Sequence, residues 1–230
     1  MAVSIVERSG TLWLTLLRPP VNAIDLEMVE ELTQTIAEAP AKSPIVLTGK
    51  GKSFSAGVDT KAFAAYDKGE RRRLVLGITQ MLRAIVSHHA PVVAALNGHA
   101  IGGGLVLALA ADYRIAAAPE GKFGLTEARA GVPFPAGATE VIRNELPPTL
   151  LRSLALTSRL VEQENLLAAG VFDQVCQPDS LPLVVVKAIH EMKNQPGFAA
   201  VKMQARGALQ ARLSALVKSG DDPFLPAFGA

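Results

Sequence analysis

A single cysteine, Cys176, leaves the chain no internal disulfide, so its 230 residues must hold together by packing, a composition that suits a reducing compartment. Nothing near Cys176 in sequence suggests an activated thiol, and it is read as a packed residue. Charge of one sign is lacking as well. Lys and Arg number 23 against 21 Asp and Glu, a net charge of +2, whereas a general nucleic-acid binder shows a far stronger basic bias. Long hydrophobic runs are also missing: the longest, Ala100 to Ala111, is interrupted by three glycines and is about half the roughly 20 residues a spanning helix needs. Glu7 and Arg8 break the apolar core that a secretion signal requires, and no cysteine stands at the C-terminus for lipidation. The expectation is a cytoplasmic protein with no membrane or nucleic-acid partner. The four histidines, His88, His89, His99 and His190, show neither H-E-x-x-H nor Cys/His ligand spacing, so no metal site is expected.

With 49% hydrophobic residues, the chain can build a sizeable core. Val3 to Arg8 and Thr11 to Leu17 flank a Ser9-Gly10 turn and read as a β-hairpin. Pro19 and Pro20 stop it, and Asp25 offers an N-cap to a helix with Met28, Leu32 and Ile36 at helical spacing. Ile45 to Thr48 reads as a buried strand running into the loop GKGKSFSAG. Glu70 to Val86 follows as a helix, with Arg71, Arg72 and Arg73 as a solvated face. Pro91 to Leu96 is a second apolar strand, ending in the turn Asn97-Gly98 before a buried helix that starts in the glycines. Tyr113 to Ala117 is a third strand. Strands alternating with helices predict an α/β fold with a largely parallel, enclosed sheet. Beyond Pro147 the pattern is helical: LLRSLALTS, LVEQENLLAAG, Leu183 to Met192 and Ala199 to Lys218. No Gly-, Pro- or Ser-rich linker divides the chain, and the expected organisation is a catalytic core over residues 1–175 with a helical region over 176–230.

Two segments share a logic. An apolar strand ends in a glycine turn at Phe54-Ser55-Ala56-Gly57-Val58-Asp59 and again at Asn97 through Gly104. Such turns expose backbone and can aim N–H groups at an acyl oxygen, and the second also opens a helix, whose free N–H groups favour negative charge. Glycine runs equally serve tight turns and close helix packing, so neither segment decides alone. Rival motifs fall away. Gly51-Lys52-Ser53 imitates the end of a P-loop, but Val46 holds its first glycine position, and neither G-x-G-x-x-G nor G-x-S-x-G occurs.

Taken together, F-S-A-G-V-D, A-L-N-G-H-A-I-G-G-G, A-D-Y-R-I-A and F-G-L-T-E-A-R-A-G-V-P-F-P, with V-N-A-I-D before the first helix, resemble the enoyl-CoA hydratase/isomerase family, the crotonase superfamily. The resemblance runs from Val3 through Val175. It implies a spiral of repeated ββα units with a C-terminal helical region used for trimerisation, as a homotrimer or homohexamer. It also implies an acyl-CoA thioester substrate with no further cofactor. By position in the motifs, the resemblance assigns an oxyanion hole to the N–H groups of Val58 and Gly103, substrate-binding backbone to Ala56, Gly57, Gly102 and Gly104, and a CoA-phosphate contact to Lys61, with solvation as the alternative. Arg18 is a weaker candidate for the nucleotide end.

Family hydratases carry two glutamates. Here the first position is Val106 and only the second, Glu127, is acidic. Val106 makes that side of the pocket apolar and poorly suited to hold a water. One carboxylate suffices to move a proton from C2 to C4 of a 3-enoyl thioester, so the resemblance is strongest to the Δ3,Δ2-enoyl-CoA isomerases. Hydration, another reaction of the family (hydrolysis, decarboxylation, carbon–carbon bond formation) and a noncatalytic CoA-binding scaffold are the alternatives. Asp59 is expected to order its loop, Asp112 to pair with backbone or a cation, and Tyr66 to line the acyl channel.

Overall fold

In the computed structural model, which describes residues 1–230, β1 (Val3–Arg8) and β2 (Thr11–Leu16) pair antiparallel across the Ser9-Gly10 turn, both of whose residues have positive φ. Three more strands, β3 (Ile45–Gly49), β5 (Val92–Leu96) and β7 (Tyr113–Ala116), add to β2 in parallel, and β9 (Gln174–Val175) closes the far edge. A second sheet holds three short parallel strands, β4 (Ser53–Ser55), β6 (His99–Ile101) and β8 (Phe123–Gly124). The chain passes from the large sheet to the small one at β3 to β4, at β5 to β6 and at β7 to β8, and each passage leads into a helix. This is the expected ββα repetition.

The small sheet is where the sequence reading needs correction. GKGKSFSAG and the stretch after Asn97 read as loops, yet each contains a strand, and β8 has no counterpart in the reading. Two or three residues cannot show a period of two, so periodicity carries no signal for strands this short.

Alternation is clear in the large sheet. Leu14, Leu16, Ile45, Leu47, Val92, Ala94 and Leu96 point into the main core, while Trp13, Val46, Val93, Ala95 and Ile115 face the other way. The second face is covered by α9 (Leu181–Lys193) through Leu181, Val185, Ala188 and Ile189. On the first face lie α1 (Leu26–Glu38), capped by the Asp25 side chain, and α3 (Lys68–Ser87), which starts in a capping box between Asp67 and Glu70. Between β4 and α3 runs α2 (Thr60–Ala65), capped by Asp59 through the N–H groups of Lys61 and Ala62. The glycine run opens α4 (Gly103–Leu109), and β8 leads to α5 (Glu127–Ala130). Then come α6 (Ala136–Glu145), α7 (Pro148–Thr157), α8 (Gln163–Ala168) and, after α9, α10 (Phe198–Ser219). The α8 helix is shorter than LVEQENLLAAG suggests, because Val161 pairs antiparallel with Phe123 of β8 instead of joining the helix.

Two buried aliphatic residues of α10, Leu209 and Leu213, join the main core. A chain of charges does the rest. Asp112, in the turn between α4 and β7, accepts from Lys202 at 2.6 Å, Arg206 at 3.0 Å and the Val92 amide at 2.8 Å. Arg206 reaches on to Glu145 at 2.8 Å, and Glu145 also pairs with Arg114. The expected partner of Asp112 is thus a pair of cations from almost a hundred residues away. No helix is long and apolar enough to cross a membrane.

Asp112 and Lys202 are each about 8% exposed, so removing the carboxylate strands a buried ammonium. Asp112→Ala is expected to lower the unfolding free energy by about 3 to 5 kcal/mol. Lys187→Met, which breaks an exposed pair with Glu191 on α9, should leave the urea midpoint unchanged.

Candidate active site

The turn after β4 is held by the segment V-N-A-I-D. Asn22 is fully buried, and its Nδ2 donates to the carbonyls of Lys50 at 2.9 Å and Ser53 at 2.8 Å. In return, Ser55 Oγ donates to Asn22 O at 2.7 Å. Ile24 then pairs alongside the turn: its N–H donates to Gly57 O and its carbonyl accepts from Asp59. The amides of Ala56, Gly57 and Asp59 are thus all paired, whereas the N–H of Val58 between them has no acceptor in the protein.

The second turn is fixed by the small sheet, where Gly102 N donates to Gly124 O at 2.8 Å. Gly103 is the first residue of α4, so its N–H has no carbonyl below it in the helix and no other partner. The two turns touch. A Cβ built on Gly57 falls 2.8 Å from Ile101 O and 3.0 Å from Gly103 N, and one on Gly103 falls 3.7 Å from Val58 N. Two unpaired amides therefore lie side by side. Gly57 has φ +86° and Gly102 φ +55°, where any other residue is strained.

Glu127 opens α5 next to Gly102: a Cβ on Gly102 would sit 3.0 Å from Glu127 Oε1. Its Oε2 is buried with no hydrogen-bond partner. Loss of water pushes the carboxyl up to about 7, against smaller downward pulls from the Glu127 and Thr126 backbone amides. Glu127, the two turns and Val106 line one cavity of about 960 Å³, its open mouth included. Glu127 is the only ionisable group on that wall, and Thr60 and Thr126 carry the only other polar side chains. No residue distant in sequence brings a second acid or base.

Of the residues picked out from sequence, the cavity gathers Ala56, Gly57, Val58, Gly102, Gly103, Val106 and Glu127. It does not gather Gly104 or Lys61. A Cβ on Gly104 would lie 2.2 Å from Ser55 O, so that glycine lets α4 pack on β4, and Lys61 is exposed on α2. Arg18 is engaged by Asp25 and Glu27, which neutralise it. Tyr66 leaves the cavity and accepts from the Leu26 amide at 3.1 Å. Of the three arginines read as a solvated face, Arg71 instead stacks on Phe63, 5.3 Å from the ring centroid. The cavity also takes in residues that no sequence motif marks: the α3 face of Leu74, Val75, Ile78 and Met81, and Phe228 near the C-terminus. The α3 spacing signals a buried stripe, and nothing in it tells a cavity wall from solid core. No cluster of three potential metal ligands is present.

A family model described as enoyl-CoA hydratase/isomerase matches residues 7–219. Carnitinyl-CoA dehydratase from Salmonella arizonae is 36% identical over 184 residues, which is 78% of this chain and 70% of that protein. The protein of that name from Shigella flexneri is 34% identical over 178 residues, 76% of this chain and 67% of that one. The chain thus spans about two thirds of these relatives' length. A solved structure of an enoyl-CoA hydratase/isomerase family protein from Pseudomonas syringae matches with a TM-score of 0.87 at 26% identity, covering 95% of this chain and 96% of that one.

A carboxyl that rises from 4.5 to about 7 takes up a proton on folding. Its cost to stability is absent below the unfolded value and is complete once pH has passed the folded one. Glu127→Gln should therefore raise the unfolding free energy at pH 8 by up to about 3 kcal/mol and leave it nearly unchanged at pH 4. Urea unfolding at the two pH values checks this, and an equal effect at both would contradict it.

Proposed function

The chain belongs to the enoyl-CoA hydratase/isomerase family, and from that premise we propose that it moves a double bond in an acyl-CoA thioester from C3 to C2, with Glu127 as the proton carrier. The observation that carries this reading is the solitude of Glu127: one carboxyl, no second acid or base, and Val106 where a second carboxylate would stand.

The thioester oxygen sits between the N–H groups of Val58 and Gly103. Ionised Glu127 takes a proton from C2, the C2–H electron pair flows into a dienolate, and the two amides stabilise the oxygen's negative charge. The protonated carboxyl then delivers the proton to C4, leaving the double bond between C2 and C3. A carboxyl with a value near 7 suits both halves, since it is base enough to take the proton and acid enough to return it. The step calls for no cofactor beyond the CoA of the substrate. Assembly as a trimer, or a pair of trimers, belongs to the same proposal.

Dehydration of a 3-hydroxyacyl-CoA is the second reading, and the names of the relatives favour it. It requires a proton donor for the departing hydroxyl as well as a base at C2. Glu127 would have to serve as both.

Incubation with a 3-enoyl-CoA should produce the conjugated 2-enoyl-CoA, followed by its ultraviolet absorbance. Glu127→Gln should lower kcat by roughly 10²- to 10⁴-fold. Because the base works ionised, kcat/KM should rise with pH and level off above about 7. Product formation that survives loss of Glu127, or hydration of 2-enoyl-CoA outpacing isomerisation, would overturn the assignment.

A further inference from the structure

The last residues of the chain form part of the cavity. After α10, Asp222 is buried, and its Oδ2 accepts from the Ala136 amide at 2.7 Å, capping α6, whose own N-cap residue Pro135 supplies no side-chain acceptor. Arg72 donates to Gly220 O at 2.6 Å. The chain then makes a 3₁₀ turn, Leu225–Phe228, and packs Leu225 and Phe228 on Val75 of α3. Phe228 meets Phe63 edge to face, with ring centroids 6.2 Å apart, and both rings line the cavity. That wall, made by α2, α3 and the tail, carries no charged or hydrogen-bonding side chain into the cavity apart from Thr60.

We infer that the site takes an uncharged hydrocarbon acyl group and that Phe228, clamped by Asp222, sets the length of chain it accepts. This rests on the acyl-CoA reading above but not on which reaction follows. A charged acyl terminus would lose its hydration with nothing on this wall to replace it, whereas each added methylene gains until it meets the Phe63–Phe228 pair.

The test is calorimetric binding of saturated acyl-CoA thioesters, acetyl through hexadecanoyl, to the full chain, which separates the length limit from turnover. In the unaltered protein, affinity should climb about 4-fold per methylene and then stop. Phe228→Ala should move that limit to a longer chain and Phe228→Trp to a shorter one, with acetyl-CoA affinity unchanged in both. Phe228→Trp keeps the apolar bulk, so the direction of its shift tests the inference even where Phe228→Ala folds poorly. A limit that stays put in both variants while acetyl-CoA still binds would overturn the role of Phe228 and leave the thioester reading standing. Tighter binding of a chain ending in carboxylate or quaternary ammonium than of the neutral chain of equal length would overturn the uncharged assignment. Failure of every acyl-CoA to bind would overturn the thioester reading and this inference with it.

Discussion

The contact between the backbones of Gly57 and Gly103 constrains most of what surrounds it. Two strand ends from different ββα repeats can meet so closely only if no side chain comes between them, and a Cβ on Gly57 would strike Ile101 O and Gly103 N. The same approach requires Gly104 to rest against the Ser55 carbonyl. It leaves the Val58 and Gly103 amides next to each other with no acceptor, although unpaired amides inside a protein are rare and costly. The buried Asn22 resists the obvious relaxation. By tying Lys50 O, Ser53 O and Ser55 Oγ together, it stops the first turn from rotating its free amide toward some nearby carbonyl.

Glu127 is placed by the same contact. Its carboxyl lies against Gly102, and the apolar cavity wall withdraws much of it from water. The resulting rise to about 7 represents about 3 kcal/mol that weighs against the folded state near neutral pH, a sizeable fraction of the 5 to 15 kcal/mol that holds a typical domain together. A surface position would avoid that cost, but it would return the carboxyl to its ordinary acidity, too weak a base for a carbon acid. The unpaired amides and the desolvated carboxyl are the same kind of feature: polar groups denied partners within the protein, which on the proposed reading the substrate supplies.

The sequence exposes those features unevenly. The hairpin, the strands β3, β5 and β7 and the long helices α1, α3, α9 and α10 follow from periodicity and capping, whereas the two-residue edge strand β9 does not. Both glycine turns and Glu127 are visible as motifs, because the backbone geometry of the turns, and the role proposed for the carboxyl, each demand one residue type at one position. The small sheet is not visible: its strands are two or three residues long and specified by contacts from other repeats. Nor could Lys61 and Gly104 be sorted from the residues that reach the cavity, since that depends on which side of a short helix faces inward. Asn22 was legible only as a letter in V-N-A-I-D. Its bracing role depends on carbonyls some thirty residues away.

The tail shows how far the site extends beyond its motifs. Phe228 reaches the cavity because α10 is laid along α3 and α6, and α10 is held there by Lys202 and Arg206 on Asp112. Asp112 in turn lies just beyond the helix that the glycine run begins, which ends at Leu109. One short segment, Gly102 to Asp112, therefore carries a free amide at its start and the anchor of the C-terminal helix at its finish. A shift in how α10 seats would move the Phe228 wall while leaving the amides and Glu127 in place, because those are fixed by the small sheet and Asn22. On the proposed reading, the chemistry and the choice of acyl group would therefore rest on separate supports, and the apolar wall could change with little disturbance to Glu127 and the two amides.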